Sequence, residues 1–98
     1  MFHHVVLFRL RPGVTLERVR RAREQLSRLA ETLPGVVHFA VTHNVAAESS
    51  GYTLALFSAF ESERAYEIFV RHPEHQRVLA EDLSQVVESR LVAQGHEP

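Results

Sequence analysis

Residues 52–60, YTLALFSAF, are apolar on both faces of an extended chain. Alternation places Leu54, Leu56 and Phe60 on one side and Ala55, Phe57 and Ala59 on the other. A strand that is apolar on both sides belongs in the middle of a sheet covered on both faces. Residues 2–10, FHHVVLFRL, share this property. His4, Val6, Phe8 and Leu10 fall on one face, His3, Val5, Leu7 and Arg9 on the other, and the middle of each face is apolar. The chain has 98 residues, which makes it one domain spanning 1–98. A domain of that size buries roughly two thirds of its unfolded surface. Covering two such strands on both sides is hard for so short a chain alone.

Around these strands the pattern predicts helices. Arg11-Pro12-Gly13 is a turn signal, and Thr15 is an N-cap for a helix from Leu16 to Leu33. Val19, Ala22, Leu26, Leu29, Ala30 and Leu33 recur at spacings of three and four, giving one apolar stripe. Arginines at 18, 20, 21, 23 and 28 read as a solvated face, with Glu17–Arg21 and Glu24–Arg28 as i,i+4 pairs. Pro34-Gly35 ends the helix. Residues 36–44 alternate, with Val37, Phe39 and Val41 pointing one way and His38, Ala40 and Thr42 the other. Ser62 caps a second helix whose apolar side is Ala65, Ile68 and Phe69. That helix stops at His72, because a residue before proline is pushed out of the helical region. Pro73 suits the first turn of a third helix, with His72 as its cap and Val78, Leu79, Leu83, Val86 and Val87 as its stripe. Residues 90–94 read as a last strand and 95–98 as a frayed end.

The order β-α-β-β-α-α-β is that of an α+β, ferredoxin-like plait: an antiparallel four-stranded sheet with helices on one face. The other face carries Val5, Leu7, Ala55 and Phe57. Soluble monomers rarely leave such a contiguous apolar patch wet. A second copy of the same sheet is the economical cover, so a homodimer through this face is expected.

Charge and residue content narrow the function classes. Eleven basic against twelve acidic residues give no electrostatic footprint for nucleic acid. There is no cysteine, hence no disulfide or thiolate chemistry. No apolar run approaches the roughly 18 residues of a membrane span. The chain enters a strand at once, without a signal-peptide layout, and a cytoplasmic protein is expected. With no H-E-x-x-H pattern, and with His3 and His4 on opposite sides of a strand, no metal site is expected. Nothing in the sequence asks for a cofactor.

Seven histidines are the outlier in the composition. His4 shares a strand face with Val6 and Phe8, while His72 and His75 bracket the Pro73-Glu74 corner. If that corner folds over the sheet, His4 and His75 face one cavity lined by Val6, Phe8, Phe69 and Leu79, with His72 at its edge. An imidazole with a pKa near ~6.5 accepts or donates a proton at neutral pH. Two of them in an apolar cavity suit removal of an acidic C–H beside a carbonyl. The simpler reading makes His72 a helix cap and His4 a hydrogen-bonded core residue.

The segments HHVVLFRLRPGV, LPGVVHFAVTHN, GYTLALFSAFES and HPEHQRV resemble the stress-responsive dimeric α/β-barrel family, over residues 3 to about 93. His4 and the His72-Pro73-x-His75 corner carry the most specific part of the likeness. The resemblance implies a ferredoxin-like subunit whose sheets pair face to face as a barrel. Many members have no established activity; some relatives cyclise polyketide chains, and other barrels of the superfamily are monooxygenases or isomerases. For this chain it implies a dimer holding a small hydrophobic ligand between helices and sheet. The alternative is a cyclase- or isomerase-like enzyme on a polyketide-type carbonyl compound, with His75 as general base and His4 assisting. Cyclase-like relatives pair the corner histidine with a tyrosine hydroxyl one turn earlier. Position 69 here is Phe69, and Tyr66 sits one turn further back.

Overall fold

The computed structural model describes residues 1–98. Four antiparallel strands, β1 (Phe2–Leu10), β2 (Val36–His43), β3 (Leu54–Phe60) and β4 (Val87–His96), form one sheet in the order β2-β3-β1-β4. The two doubly apolar strands, β1 and β3, are the central pair. Helix α1 (Leu16–Thr32) connects β1 to β2. Helices α2 (Glu63–Arg71) and α3 (Pro73–Val78) follow β3. The chain then makes a π-helical turn (Leu79–Leu83) and a last α-helical turn (Ser84–Val86) before entering β4. This is the ferredoxin-like plait expected from the element order.

The local signals act as their chemistry dictates. Thr15 Oγ1 accepts from the Arg18 N–H, and Ser62 Oγ accepts from the Ala65 N–H, so each hydroxyl satisfies a donor left unpaired by the first helical turn. His72 is extended, with φ −61° and ψ 136°, and its Nδ1 accepts from the Glu74 N–H at 3.1 Å. The corner therefore holds its shape through a capping imidazole followed by proline.

The helices cover one face of the sheet. Leu26 and Leu29 of α1 meet Phe60, Phe69 and Val78. Val6, Phe8, Leu54 and Leu56 form the strand side of the core, and Val19, Ala22 and Val86 close the far end. On the opposite face the register brings Leu7 beside Ala55 and Leu91, and Val5 beside Phe57 and Ala93. Ala55 is buried there, but Phe57 and Leu91 are 44% and 54% exposed.

Several sequence expectations need correction. Val37 does not share the core face with Phe39 and Val41. The pairing of β2 with β3 skips it, so Val36 lies opposite Phe60 and His38 opposite Ala59. This bulge turns Val37 to solvent and puts Val36 into the core instead. The last strand is longer than residues 90–94 and takes Val87 from the helix. Residues 95–96 lie within it and are not frayed. The Met1 ammonium donates to the Glu97 carbonyl at 2.9 Å, the Glu97 N–H donates to the Met1 carbonyl at 2.8 Å, and His3 Nε2 meets Glu97 Oε1. On α1 the predicted Glu17–Arg21 and Glu24–Arg28 pairs do not form. Glu17 accepts from Arg20, and Arg21 reaches across to the buried Asp82 of the π-helical turn at 3.0 Å.

Candidate functional site

A cavity of about 270 Å³ lies between the sheet and the helices. Its floor is Val6 and Phe8 of β1 with Leu56 of β3. Leu26 of α1 and Val70 of α2 form the walls with Leu79 and Leu83 of the π-helical turn. His4, His75, Tyr66, Gln76, Arg71 and Arg90 supply every polar group. The Leu79–Leu83 turn carries one residue more than an α-helical turn, and it brings both leucines to the cavity while Val78 and Val86 stay in the core.

Of the residues singled out in the sequence, His4, His75, Val6, Phe8 and Leu79 line this cavity. Phe69 and His72 do not. Phe69 is 3% exposed, packs among Phe60, Phe39 and Leu29, and presents its ring to His75 with centroids 5.2 Å apart. It supports the wall from behind. His72 is spent on capping α3. Of the polar lining residues, sequence reasoning named Tyr66 only as lying one turn further back and missed Arg71, Gln76 and Arg90. Tyr66 lies one helical turn before Phe69 and packs on His4, with ring centroids 4.6 Å apart. Its hydroxyl makes no hydrogen bond within the chain, so a phenol does stand beside the imidazoles, though not at position 69. The period-2 alternation of β4 was the available signal for Arg90. It pairs with Phe8 and so shares the helix-facing side.

The histidines differ in their surroundings. His4 is almost fully enclosed, and Gln94 Nε2 lies 3.0 Å from its Nδ1. With the amide donating, Nδ1 accepts and the ring proton sits on Nε2. Burial, then the charge of Arg90 and the neighbouring His75, lower its pKa to about 4. His75 is lowered too, by burial and by Arg90, with the Val70 carbonyl opposing. That carbonyl already accepts from Gln76 Nε2 at 2.7 Å, and the buried Nδ1 of His75 is left without a well-aligned partner. At neutral pH both rings are uncharged. His4 is then far too weak a base to hold a proton and suits donation from Nε2 to a ligand oxygen.

A pH dependence of stability follows. Above the unfolded pKa of about 6.5, His4 is neutral in both states and contributes nothing. As pH falls from 6.5 toward 4, the unfolded chain takes up the proton and the folded chain does not, so stability declines. Below about 4 the effect levels off. The shift corresponds to at most about 3 kcal/mol. Chemical denaturation of the wild type and of His4→Asn between pH 7 and 4 measures it: the variant should lose on the order of 2 kcal/mol less over that interval. Identical pH profiles would show that His4 titrates normally in the folded protein.

The plait, with a helix-facing cavity that His4 and His75 both line, makes the chain a ferredoxin-like α+β subunit. More particularly, it belongs to the stress-responsive A/B barrel domain family, whose profile matches residues 2–94. Among solved structures, a protein of Arabidopsis thaliana is similar at 24% identity and a TM-score of 0.88, covering 100% of this chain and 96% of its own. A protein of Mesorhizobium loti from the same family, described as having a ferredoxin-like fold, is 20% identical with a TM-score of 0.85, covering 99% and 96%. A hydroxynitrile lyase from Passiflora edulis is 16% identical with a TM-score of 0.85, covering 96% and 90%. At these identities the likeness establishes the fold. None of the curated proteins matches the chain in sequence. No helix is long and apolar enough to cross a membrane.

Proposed function

We propose that the protein is a homodimer, paired through the open face of its sheet, in which each subunit binds a small hydrophobic ligand between helices and sheet. The cavity carries this reading. It is apolar on floor and walls, and its few polar groups converge on the same space from β1, α2, α3 and β4, as small-molecule sites do. The dimer rests on the exposed Phe57 and Leu91 around Val5, Leu7 and Ala55. Structural neighbours from Thermobifida fusca and Bacteroides fragilis are described as dimeric.

A second reading is favoured by the free Tyr66 hydroxyl beside His4. In it, a hydrophobic carbonyl compound loses a proton from the carbon next to the carbonyl to neutral His75. His4 Nε2–H and the Tyr66 hydroxyl donate hydrogen bonds to the oxygen as it gains negative charge. Returning that proton to another carbon is an isomerisation; attack of the enolate carbon on a second carbonyl is a cyclisation. The likeness in fold to a hydroxynitrile lyase supports an enzymatic reading of this architecture.

One experiment addresses both readings. In D2O with 2-octanone as the probe, protein NMR resonances of Val6, Phe8 and Leu79 should shift on binding, and Leu79→Trp, which fills the cavity, should abolish the shifts. Loss of the ketone's α-protons faster than in buffer, and no faster than buffer with His75→Ala, would establish the second reading. Resonance changes spread over the surface, unaltered by Leu79→Trp, would overturn the site.

A further inference from the structure

The cavity holds an imbalance of charge that its apolar character does not explain. Arg71 and Arg90 both line it, and no carboxylate does. Elsewhere the arginines are occupied: Arg20, Arg21, Arg64 and Arg77 pair with carboxylates, and Arg9, Arg11, Arg18 and Arg23 donate hydrogen bonds to carbonyl oxygens. Only Arg28, Arg71 and Arg90 have no side-chain partner within the chain, and two of these three meet at one cavity. Glu88 lies two residues before Arg90 on β4 but forms no ion pair with it.

From this we infer that the ligand is an amphipathic monoanion: an apolar body in the space between Val6, Phe8, Leu79 and Leu83, and a carboxylate head held at the mouth by Arg71 and Arg90. This rests on the ligand-binding reading above and adds the chemical class of the ligand. Guanidinium groups match a carboxylate with paired N–H donors and are less strongly hydrated than an ammonium, so they give up water for such a partner readily. The histidines cannot supply the missing negative charge, since an imidazole is neutral or positive. Their lowered pKa values, to which Arg90 contributes, accord with an uncompensated cation at the site. His4 Nε2–H and the Tyr66 hydroxyl add neutral donors suited to an oxygen acceptor. Size is consistent as well. A cavity of 150 Å³ holds benzene, so one of about 270 Å³ takes roughly ten non-hydrogen atoms, the size of a medium-chain acid.

Octanoate and 2-octanone, alike in length and different in charge, provide the test. By calorimetry on the dimer at pH 7 and low salt, octanoate should bind at least tenfold more tightly than the ketone, and salt should weaken octanoate alone. Arg90→Gln and Arg71→Gln should each lower octanoate affinity several-fold and leave ketone affinity unchanged, whereas Arg28→Gln, away from the cavity, should change neither. Equal affinity for the two probes, or octanoate binding unaffected by both cavity variants, overturns the anion assignment while leaving a hydrophobic site. Binding of neither probe overturns both this inference and the reading it rests on.

Discussion

With the open sheet face as the proposed interface, Leu7→Asp is expected to convert a dimer to a monomer at micromolar concentration, or to prevent stable folding. Leu7 sits in the middle of the open sheet face, flanked by Ala55 on β3 and Leu91 on β4. A carboxylate placed there and covered by a second sheet has no partner within that apolar surface. Leaving a charge buried and unpaired costs about 3 kcal/mol or more. A two-fold interface repeats the change in both subunits, so the dissociation constant should rise roughly ten-thousand-fold. Sedimentation velocity over a concentration series, with circular dichroism to follow folding, measures this. A wild type that sediments as a stable monomer, or a Leu7→Asp variant that stays a folded dimer, removes the sheet face as the interface.

Phe60→Ala should be the most damaging single truncation of the core. Phe60 is 1% exposed at the end of β3. Its ring meets Phe69 and Tyr66, with centroids 5.2 and 5.5 Å away, and both of those rings stand behind or beside the histidines. Removing it leaves a void that neighbours on a strand and two helices cannot readily close, at a cost of about 3–5 kcal/mol. Against a total stability of 5–15 kcal/mol for an ordinary domain, that is a large part of the whole. The midpoint of urea unfolding should fall accordingly, and 2-octanone binding should weaken with it as Tyr66 and Phe69 lose their support. A loss below about 1 kcal/mol would mean that the aromatic cluster repacks.

Much of the fold was legible because it rests on local chemistry. Thr15, Ser62 and His72-Pro73 announce three helix starts by the bonds their side chains make, and the doubly apolar β1 and β3 announce a central pair. Alternation alone misplaces Val37, because a bulge changes it by one residue and depends on the partner strand, which a single segment does not reveal. Helix spacing, visible in a sequence, points Arg21 to Glu17, whereas its actual partner Asp82 is distant along the chain. The site was legible only in part. His4, Val6 and Phe8 share a strand face by simple alternation, and His75 and Leu79 share a helix side. The spacing points Phe69 at the wall, but its ring packs behind it against His75. Tyr66, Arg71 and Arg90 are brought in by the packing of α2 and by the long-range pairing of β4 with β1.

The π-helical turn at Leu79–Leu83 makes the angular phase of the helix a variable in its own right. Each residue of an α-helix advances the side chains by about 100°, and a π-helical turn accommodates one surplus residue. Val86 is fixed by the core and β4 by its pairing with β1, so the surplus is felt upstream. Because the turn absorbs its surplus residue, deleting a solvent-exposed one such as Ala80 would keep α3 in phase, whereas winding the same residues as α-helix without a deletion would rotate α3 by about one residue's step. His75 and Gln76 would then swing away from the cavity, and their neighbours would take their places. The identity of the groups facing the cavity is thus set by the winding of this turn as well as by its side chains, and a change of winding alone would exchange one polar set for another without altering any residue.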